Sequence, residues 1–355
     1  MTIFDLVQSQ DIVAYWETLS QNRAPYMFES MFPNDKKLGL DLNYIKGSSG
    51  LPVALSVSAF DVQAVPRNRI GFDKMSAEMP FFKESLTINE KLRQELNMVL
   101  QTGNQTYIDA VMNRVFSDTV KLIEGAAVTR ERMRAMAVST GAIVLANNGQ
   151  EYNYDYNVPA NHKFTERNFN NTTFDICEYI NSCLDVIEDD TGVRPTRGVV
   201  SRNQLNKILK NDILKKNIYV LTNGVGTINA KNAISYIEEQ TGVVLSVNSK
   251  RYKDEKGKTQ QYINDDTVVL YPEGNLGTTW FGTTPEESDL MTGSAANVTI
   301  TDTGVAVTTM KKEDPVNVET KVSQICLPSF EMADQVAIID TSSEWCKIDW
   351  CNKIE

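Results

Sequence analysis

From Asn104 to Asn147, apolar and small residues recur in alternating steps of four and three. Ile108, Met112, Val115, Thr119, Leu122, Ala126, Thr129, Met133, Met136, Thr140 and Ile143 share one face at that spacing, which predicts an α-helix. At about 1.5 Å per residue an unbroken helix would run roughly 60 Å. A compact chain of this length has a radius of gyration of about 20 Å. Either the helix breaks, with Gly125 the natural place, or the molecule is elongated and flat. Thr, Ala and Met in the seam favour packing against a sheet over a leucine-rich coiled coil.

Upstream the pattern is fragmentary. Ile12, Tyr15, Trp16 and Leu19 fit a small amphipathic turn, and Pro25 interrupts. Met27, Phe28, Met31 and Phe32 form an apolar cluster ended by Pro33. Such a cluster needs cover, either from the chain's own core or as an arm lying on a neighbouring subunit. Residues 38–82 carry no helical period. Leu38, Leu40, Leu42 and Tyr44 alternate as a strand, GSSGLP marks a turn, Val53, Leu55 and Val57 alternate again, and Val62 to Arg69 read as a return leg. A two-stranded excursion without its own core is marginal in water and must rest on something. Arg67 and Arg69 on it are solvated charges or intersubunit ion-pair donors.

Thr87-Ile88-Asn89-Glu90 reads as a capping box that opens a helix to about Leu100, with a bend at Gly103-Asn104. Within the long seam, TRERMR is locally basic. Arg130 and Arg134 stand one turn apart beside Glu131 and read as a solvated face, with contact to nucleic acid as the weaker alternative. After a Pro- and Asn-punctuated hairpin or loop, YNYDYNVPANHKFT, Thr173-Phe174-Asp175 starts a second amphipathic helix. Its apolar face is Ile176, Ile180, Leu184 and Ile187, and Gly192 ends it. Gly198–Val200 is a short strand, and Ser201 caps a helix with Leu205, Ile208 and Leu209. Another helix covers about Ala230–Gln240 and stops at Gly242, while Val243–Val247 and Val268–Tyr271 are strands. This alternation over 170–271 fits a compact α/β-type domain. From Gly277 to Leu327 the chain turns rich in Thr and Val, hence in strand, and Gln335–Ile339 adds a last one.

Composition narrows the chemistry. The net charge of −11 argues against a protein that grips nucleic acid by neutralising phosphates. No run of 18 apolar residues exists to span a bilayer, and MTIFDLVQSQDIVAYW lacks the basic start of a signal peptide. Five cysteines, an odd number at 177, 183, 326, 346 and 351, read as free thiols. CKIDWC has no second pair or nearby histidine to complete a metal site. His162 is the sole histidine, which excludes two-His metal motifs, and it reads as a surface or capping residue. Asn223-Gly224-Val225-Gly226 lacks the third glycine of a dinucleotide loop, because Asn229 stands there. Glu188, Asp189 and Asp190 are adjacent at a helix end, not carboxylates converging on a cleft. Neither G-x-S-x-G nor a phosphate loop occurs. A soluble enzyme therefore has no residue to stand on, and no cofactor is expected.

Several phrases together resemble one family. MFESMFPNDKKLGLDLNYIKGSSGLPVALSVSAFDVQAVPRNRIGF resembles the N-terminal arm and loop of the lambda-type (gpE-like) tailed-phage major capsid proteins. YDYNVPANHKF is similar to their hairpin, and VIEDDTGVRPTRGVVSRNQLNKIL to the helix–strand–helix of their apical domain. YIEEQTGVVL, RYKDEKGKTQQYINDDTVVLYPEGNLGTTWFGTTPEESDL and VETKVSQICLPSFEMADQVAIID follow in the family's order.

The resemblance implies an α+β, HK97-type fold. Its parts would be an N-terminal arm at 1–45 and an extended β-hairpin loop at 46–86. A peripheral domain with the long spine helix would take 87–165 and 266–330, an α/β axial domain 166–265 and 331–340, and a C-terminal tail 341–355. It implies a major capsid protein of a tailed double-stranded DNA bacteriophage, assembling in the host cytoplasm into hexamers and pentamers of an icosahedral virion shell. Portal, scaffold or decoration proteins are the implied partners, with packaged DNA a non-specific neighbour and no membrane. Phe28, Phe32, Lys46, Arg67, Arg69 and Phe81 are the candidate assembly residues. Some relatives crosslink a lysine to an asparagine beside an acid, and no such trio is assignable here. An encapsulin-like compartment, a soluble enzyme and a minor connector or tail protein are the alternatives.

Overall fold

The computed structural model describes residues 8–21, 23–45, 74–88, 90–101, 105–147, 150–221, 229–290, 296–313 and 316–342. The chain divides into two compact units. One, the sheet unit, comprises Met1–Asn43, Ser76–Arg134 and Gly277–Ser329; the other, the α/β unit, comprises Tyr44–Met75, Ala135–Leu276 and Phe330–Glu355.

The long helix exists as Gln105–Thr140, 36 residues without a break at Gly125. It stops earlier than the seam suggested. Gly141 takes a left-handed φ of 74°, and Ala142–Asn147 becomes a strand paired with Gln150–Asp155. Ile143 therefore belongs to a hairpin, and Thr140 is exposed at the helix end. Burial is also broader than one seam: Val120, Ile123, Ala127, Ala135, Ala137 and Val138 are buried beside Leu122, Ala126 and Met133.

The sheet unit is organised on one 13-residue strand, Val316–Pro328. Val305–Glu313 lies antiparallel along one edge, from Val305↔Gln324 to Glu313↔Val316, and Asn297–Thr301 follows outside it. The other edge is shared. Phe81–Ile88 pairs with residues 318–325, then Thr279–Phe281 with 326–328, and Asn34–Lys36 adds in parallel beyond the latter. Toward its C-terminal end, residues 322–328 of the long strand are all buried, so both sheet faces are covered there. The helix Ser9–Ser20 buries Ile12, Val13 and Trp16, while Leu19 stays exposed.

Two details depart from the sequence reading. The alternating run from Leu38 is not one strand. Gly39 takes φ 95°, Leu38 and Leu40 are exposed, and the strand is Asp41–Ile45, paired with Lys74–Glu78. The capping-box acid Glu90 opens the helix Glu90–Gln101, but its carboxylate accepts the Val316 backbone N–H at 3.0 Å. The expected loop legs between these strands lie outside the described residues.

The α/β unit carries a five-stranded mixed sheet in the order Lys163–Thr165, Ala337–Asp340, Thr267–Tyr271, Arg197–Ser201, Val244–Asn248. Apolar helix faces fill its core: Ile180, Leu184 and Ile187 from Ile176–Thr191, Leu205 and Ile208 from Arg202–Ile208, Ile237 from Ala230–Thr241. Asp175, Ser201 and Asn229 cap these helices through side-chain oxygens that accept backbone N–H groups. Gly192 and Gly242 end two of them at φ 73° and 74°. A helix at Asp212–Leu221 has no counterpart in the sequence reading. No glycine or proline separates it from the preceding helix, so the two apolar periods run together.

The two compact units divide the chain at other places than the expected domains. Residues 135–165 and 266–276, assigned to the peripheral domain from sequence, fall in the α/β unit. Thr267–Tyr271 is the central strand there, hydrogen-bonded to Arg197–Ser201 on one side and Ala337–Asp340 on the other.

Candidate functional site

Where the sequence suggested a solvated basic face, the sheet unit holds a buried polar clasp. Arg130, Glu131 and Arg134 are only 3%, 1% and 2% exposed. The pattern TRERMR misled because charge outweighed phase: Arg130 follows Ala126 by four, and Arg134 sits between Met133 and Ala135. The surplus of alanines around the helix was the available signal, since small residues on several faces mark a helix packed on several sides.

Each charged group has partners from a different part of the unit. Arg130 donates to Gln324 Oε1 at 2.8 Å and to Asp302 Oδ2 at 2.9 Å, and its guanidinium lies 5.5 Å from the Phe281 ring. Gln324 in turn donates to the Ala126 carbonyl at 3.0 Å, so helix and strand are held at one register. Asp302 occupies a tight turn with φ 46°, followed by Thr303 at 74°, and its second oxygen accepts Trp16 Nε1 at 3.4 Å. A β-turn strained into the left-handed region thereby aims one carboxylate at both helices.

Arg134 donates through Nε to Thr279 Oγ1 at 2.9 Å and through Nη2 to Asn34 Oδ1 at 2.6 Å. Thr279 and Asn34 face each other in the parallel pair, and the Thr279 hydroxyl donates to the Phe32 carbonyl at 3.2 Å. Glu131 accepts the Phe28 backbone N–H at 3.0 Å and lies 3.8 Å from Arg134. Burial pulls the Arg134 guanidinium below its ordinary value, and the Glu131 carboxylate opposes that shift. Every charge in the clasp is thus matched by a group that would be costly to leave alone.

The six candidate assembly residues separate clearly. Phe28 and Phe32 are 0% exposed inside their own chain, where the clasp grips their backbone. They need no second copy for cover, which resolves the alternative left open by sequence. Phe81 is 37% exposed at the start of its strand. Lys46, Arg67 and Arg69 lie outside the described residues. The three described cysteines are free, and burial pushes the Cys177, Cys183 and Cys326 thiols up to about 12, 11 and 12. Thiols so shifted are protonated and unreactive at neutral pH. His162 is buried, not a surface residue; its Nε2 faces Asp190 Oδ2 at 3.1 Å. Cys346 and Cys351 are outside the described residues. Among those described, no His, Cys, Asp and Glu group is arranged to hold a metal, and no helix is long and apolar enough to cross a membrane.

This architecture has structural counterparts. A candidate capsid protein of an Escherichia coli CFT073 prophage superposes with a TM-score of 0.59 at 13% identity, covering 95% of this chain and 99% of its own. A phage-related protein of Bordetella bronchiseptica RB50 gives 0.53 at 12% identity, covering 93% and 97%. The capsid of cyanophage A-1(L) gives 0.50 at 10% identity, covering 90% and 92%. The fold is therefore the HK97-type capsid fold. Residues 8–340 match the phage major capsid protein E family, and the chain belongs to that family. It is a structural protein of a bacteriophage virion capsid. No curated protein matches it.

Proposed function

We propose that copies of this chain close into the hexamers and pentamers of an icosahedral shell around double-stranded DNA. A portal joins the shell, as do scaffold or decoration proteins, and assembly takes place in the cytoplasm of a bacterial host. The chain works by repeated weak contacts and catalyses nothing. The sheet unit serves as the peripheral domain and the α/β unit as the axial one.

One observation supports this reading above others. The stretch 46–73 leaves and returns through a single two-stranded root, Asp41–Ile45 against Lys74–Glu78. In this reading, the residues between those two strands are what a neighbouring copy receives. Phe81, beside that root, offers apolar surface, while Lys46, Arg67 and Arg69 supply charge on the segment itself. Phe28 and Phe32 act indirectly, by seating the arm. Because the clasp holds that arm to the long helix, both travel together when the shell expands as a set of rigid parts.

The test is replacement of residues 48–71 by a short Gly-Ser turn. The subunit keeps its thermal midpoint and near-ultraviolet circular dichroism, and negative-stain microscopy shows no shells. Normal shells from this variant would overturn the proposal.

A further inference from the structure

In the α/β unit, the chain leaves Val244–Asn248 and immediately forms a hairpin, Arg251–Lys253 against Thr259–Gln261. Its turn is stiff. Asp254 accepts the backbone N–H groups of Lys256 at 3.1 Å and Lys258 at 2.7 Å, and Gln260 Nε2 at 3.0 Å; Gly257 takes φ 75°. The Tyr252 and Tyr262 rings lie 4.9 Å apart. The carboxylate of Asp254 is thus spent on its own turn. Arg251, Lys253, Lys256 and Lys258 are all exposed, and among the described residues none makes a salt bridge.

The complement lies at the opposite end of the same sheet. Helices Ile176–Thr191 and Ala230–Thr241 lead into Arg197–Ser201 and Val244–Asn248, which are parallel neighbours. Both helix C-termini therefore sit at the starting edge of those strands, while the hairpin follows the finishing edge. Asn181 Nδ2 donates to the Gln240 carbonyl at 3.2 Å, tying the two helices. Arg194 answers Asp185 and Glu188, and Arg197 answers Glu273. Asp189, Glu238 and Glu239 are exposed and, among the described residues, without a salt bridge, Glu238 acting only at longer range on Arg197. The partial negative charge of the helix ends adds to theirs.

Basic tongue and acidic edge lie at opposite ends of the same five-residue strands, about 16 Å apart, too far for an ion pair within one copy. We infer that the hairpin Arg251–Gln261 of one copy docks on the acidic helix ends of the next, with Lys253, Lys256 and Lys258 facing Asp189, Glu238 and Glu239. Such a contact is head-to-tail and, where its rotation closes, generates rings. It also offsets the repulsion between copies that each carry −11. This inference rests on the shell reading and names the surface that closes a capsomer.

The test uses the full chain in three forms. The first is Lys253→Glu/Lys256→Glu/Lys258→Glu, the second Asp189→Lys/Glu238→Lys/Glu239→Lys, and the third combines both. The single reversals move the net charge from −11 by six, and the combination restores it. A control, Lys210→Glu/Lys216→Glu/Lys231→Glu, matches the charge change of the first elsewhere. Each reversal is expected to stay folded by circular dichroism and to raise the concentration needed for assembly at least about tenfold, as read by sedimentation and negative stain. The combined variant regains assembly, and the control keeps it. Unchanged assembly of the first variant, or no recovery in the combination, overturns the inference. Binding of a short DNA duplex lost in the first variant while its assembly persists would make the hairpin a DNA contact and overturn it too. If wild type forms no shells at all, the shell reading fails separately. The docking is then decided by low-salt self-association, present in wild type and combination and absent in the reversals, or else overturned.

Discussion

The two units solve the same packing problem with different chemistry. The α/β unit buries aliphatic faces against a sheet, uses Asp175, Ser201 and Asn229 to cap helix ends, and buries polar side chains such as Gln204 and Asn211 but no arginine or acid among the described residues. The sheet unit buries Arg130, Glu131, Arg134 and Glu286 in its interior. Aliphatic contact is non-directional and tolerates small slips. Guanidinium forks do not: Arg134 meets Thr279 and Asn34 only when the arm, the helix and two strands are in one register. The lesson is that one half of the subunit is packed for stability and the other is indexed. For a shell protein, the indexed half is where the arm must leave at a fixed angle.

The sharpest break of this contrast is Arg134→Met. It removes the buried cation beside Glu131 and the bonds to Thr279 and Asn34, so the expected loss is about 3–5 kcal/mol, read by denaturant unfolding. Hydrogen exchange should rise first in residues 28–36 and 279–281. A loss under about 1 kcal/mol would mean the pair is not desolvated. Adding Glu131→Met to the same chain should recover part of the loss, because no lone charge then remains. Recovery of stability with shells still malformed would separate indexing from stability.

The counterpart in the other unit is Leu184→Ala. Leu184 is 0% exposed in the aliphatic core, and the truncation should cost about 2–5 kcal/mol through lost contact and a cavity. Here exchange should rise in residues 176–208 and leave the clasp untouched. Equal exchange gains in both units would show one cooperative core and dissolve the comparison.

How far each half could be read from sequence follows from the same chemistry. Periodicity and punctuation specify the α/β unit: the buried face at Ile176, Ile180, Leu184 and Ile187 and the stops at Gly192 and Gly242 are as the spacing predicts. The family phrases and the long helix were equally legible. The clasp was not, because its partners come from residues 16, 28, 34, 279, 302 and 324, and no local window contains them. A charge run in a helix looks solvated until the residues that answer it are in place. His162 failed for the same reason, since Asp190 supplies its partner from another element. Leu38 and Leu40 failed differently: alternation persisted where Gly39 bends the backbone out of a strand.

A smaller effect probes a helix cap that the structure shows. Asp175 Oδ1 accepts the Glu178 N–H at 3.1 Å at the start of its helix. Asp175→Ala should cost about 1 kcal/mol, whereas Asp175→Ser should be nearly silent. A loss as large as that of Leu184→Ala would mean the side chain does more than cap.

The gentlest probe concerns a charge at the sheet unit's surface. Lys312 pairs with Glu319 across neighbouring strands, with side chains 46% and 15% exposed. Hydrogen bonds from Lys312, then from Ser85, hold the Glu319 carboxyl below its usual 4.5. A carboxylate depressed on folding adds stability above the unfolded value and loses it as pH falls through the folded one. Lys312→Gln should therefore cost about 0.5 kcal/mol at neutral pH, with the gap to wild type closing as pH drops below about 4.5. High salt should close the same gap by screening, while the Arg134→Met loss persists. If salt erased both losses alike, the clasp would be wet, and the distinction between an indexed half and a packed half would fall.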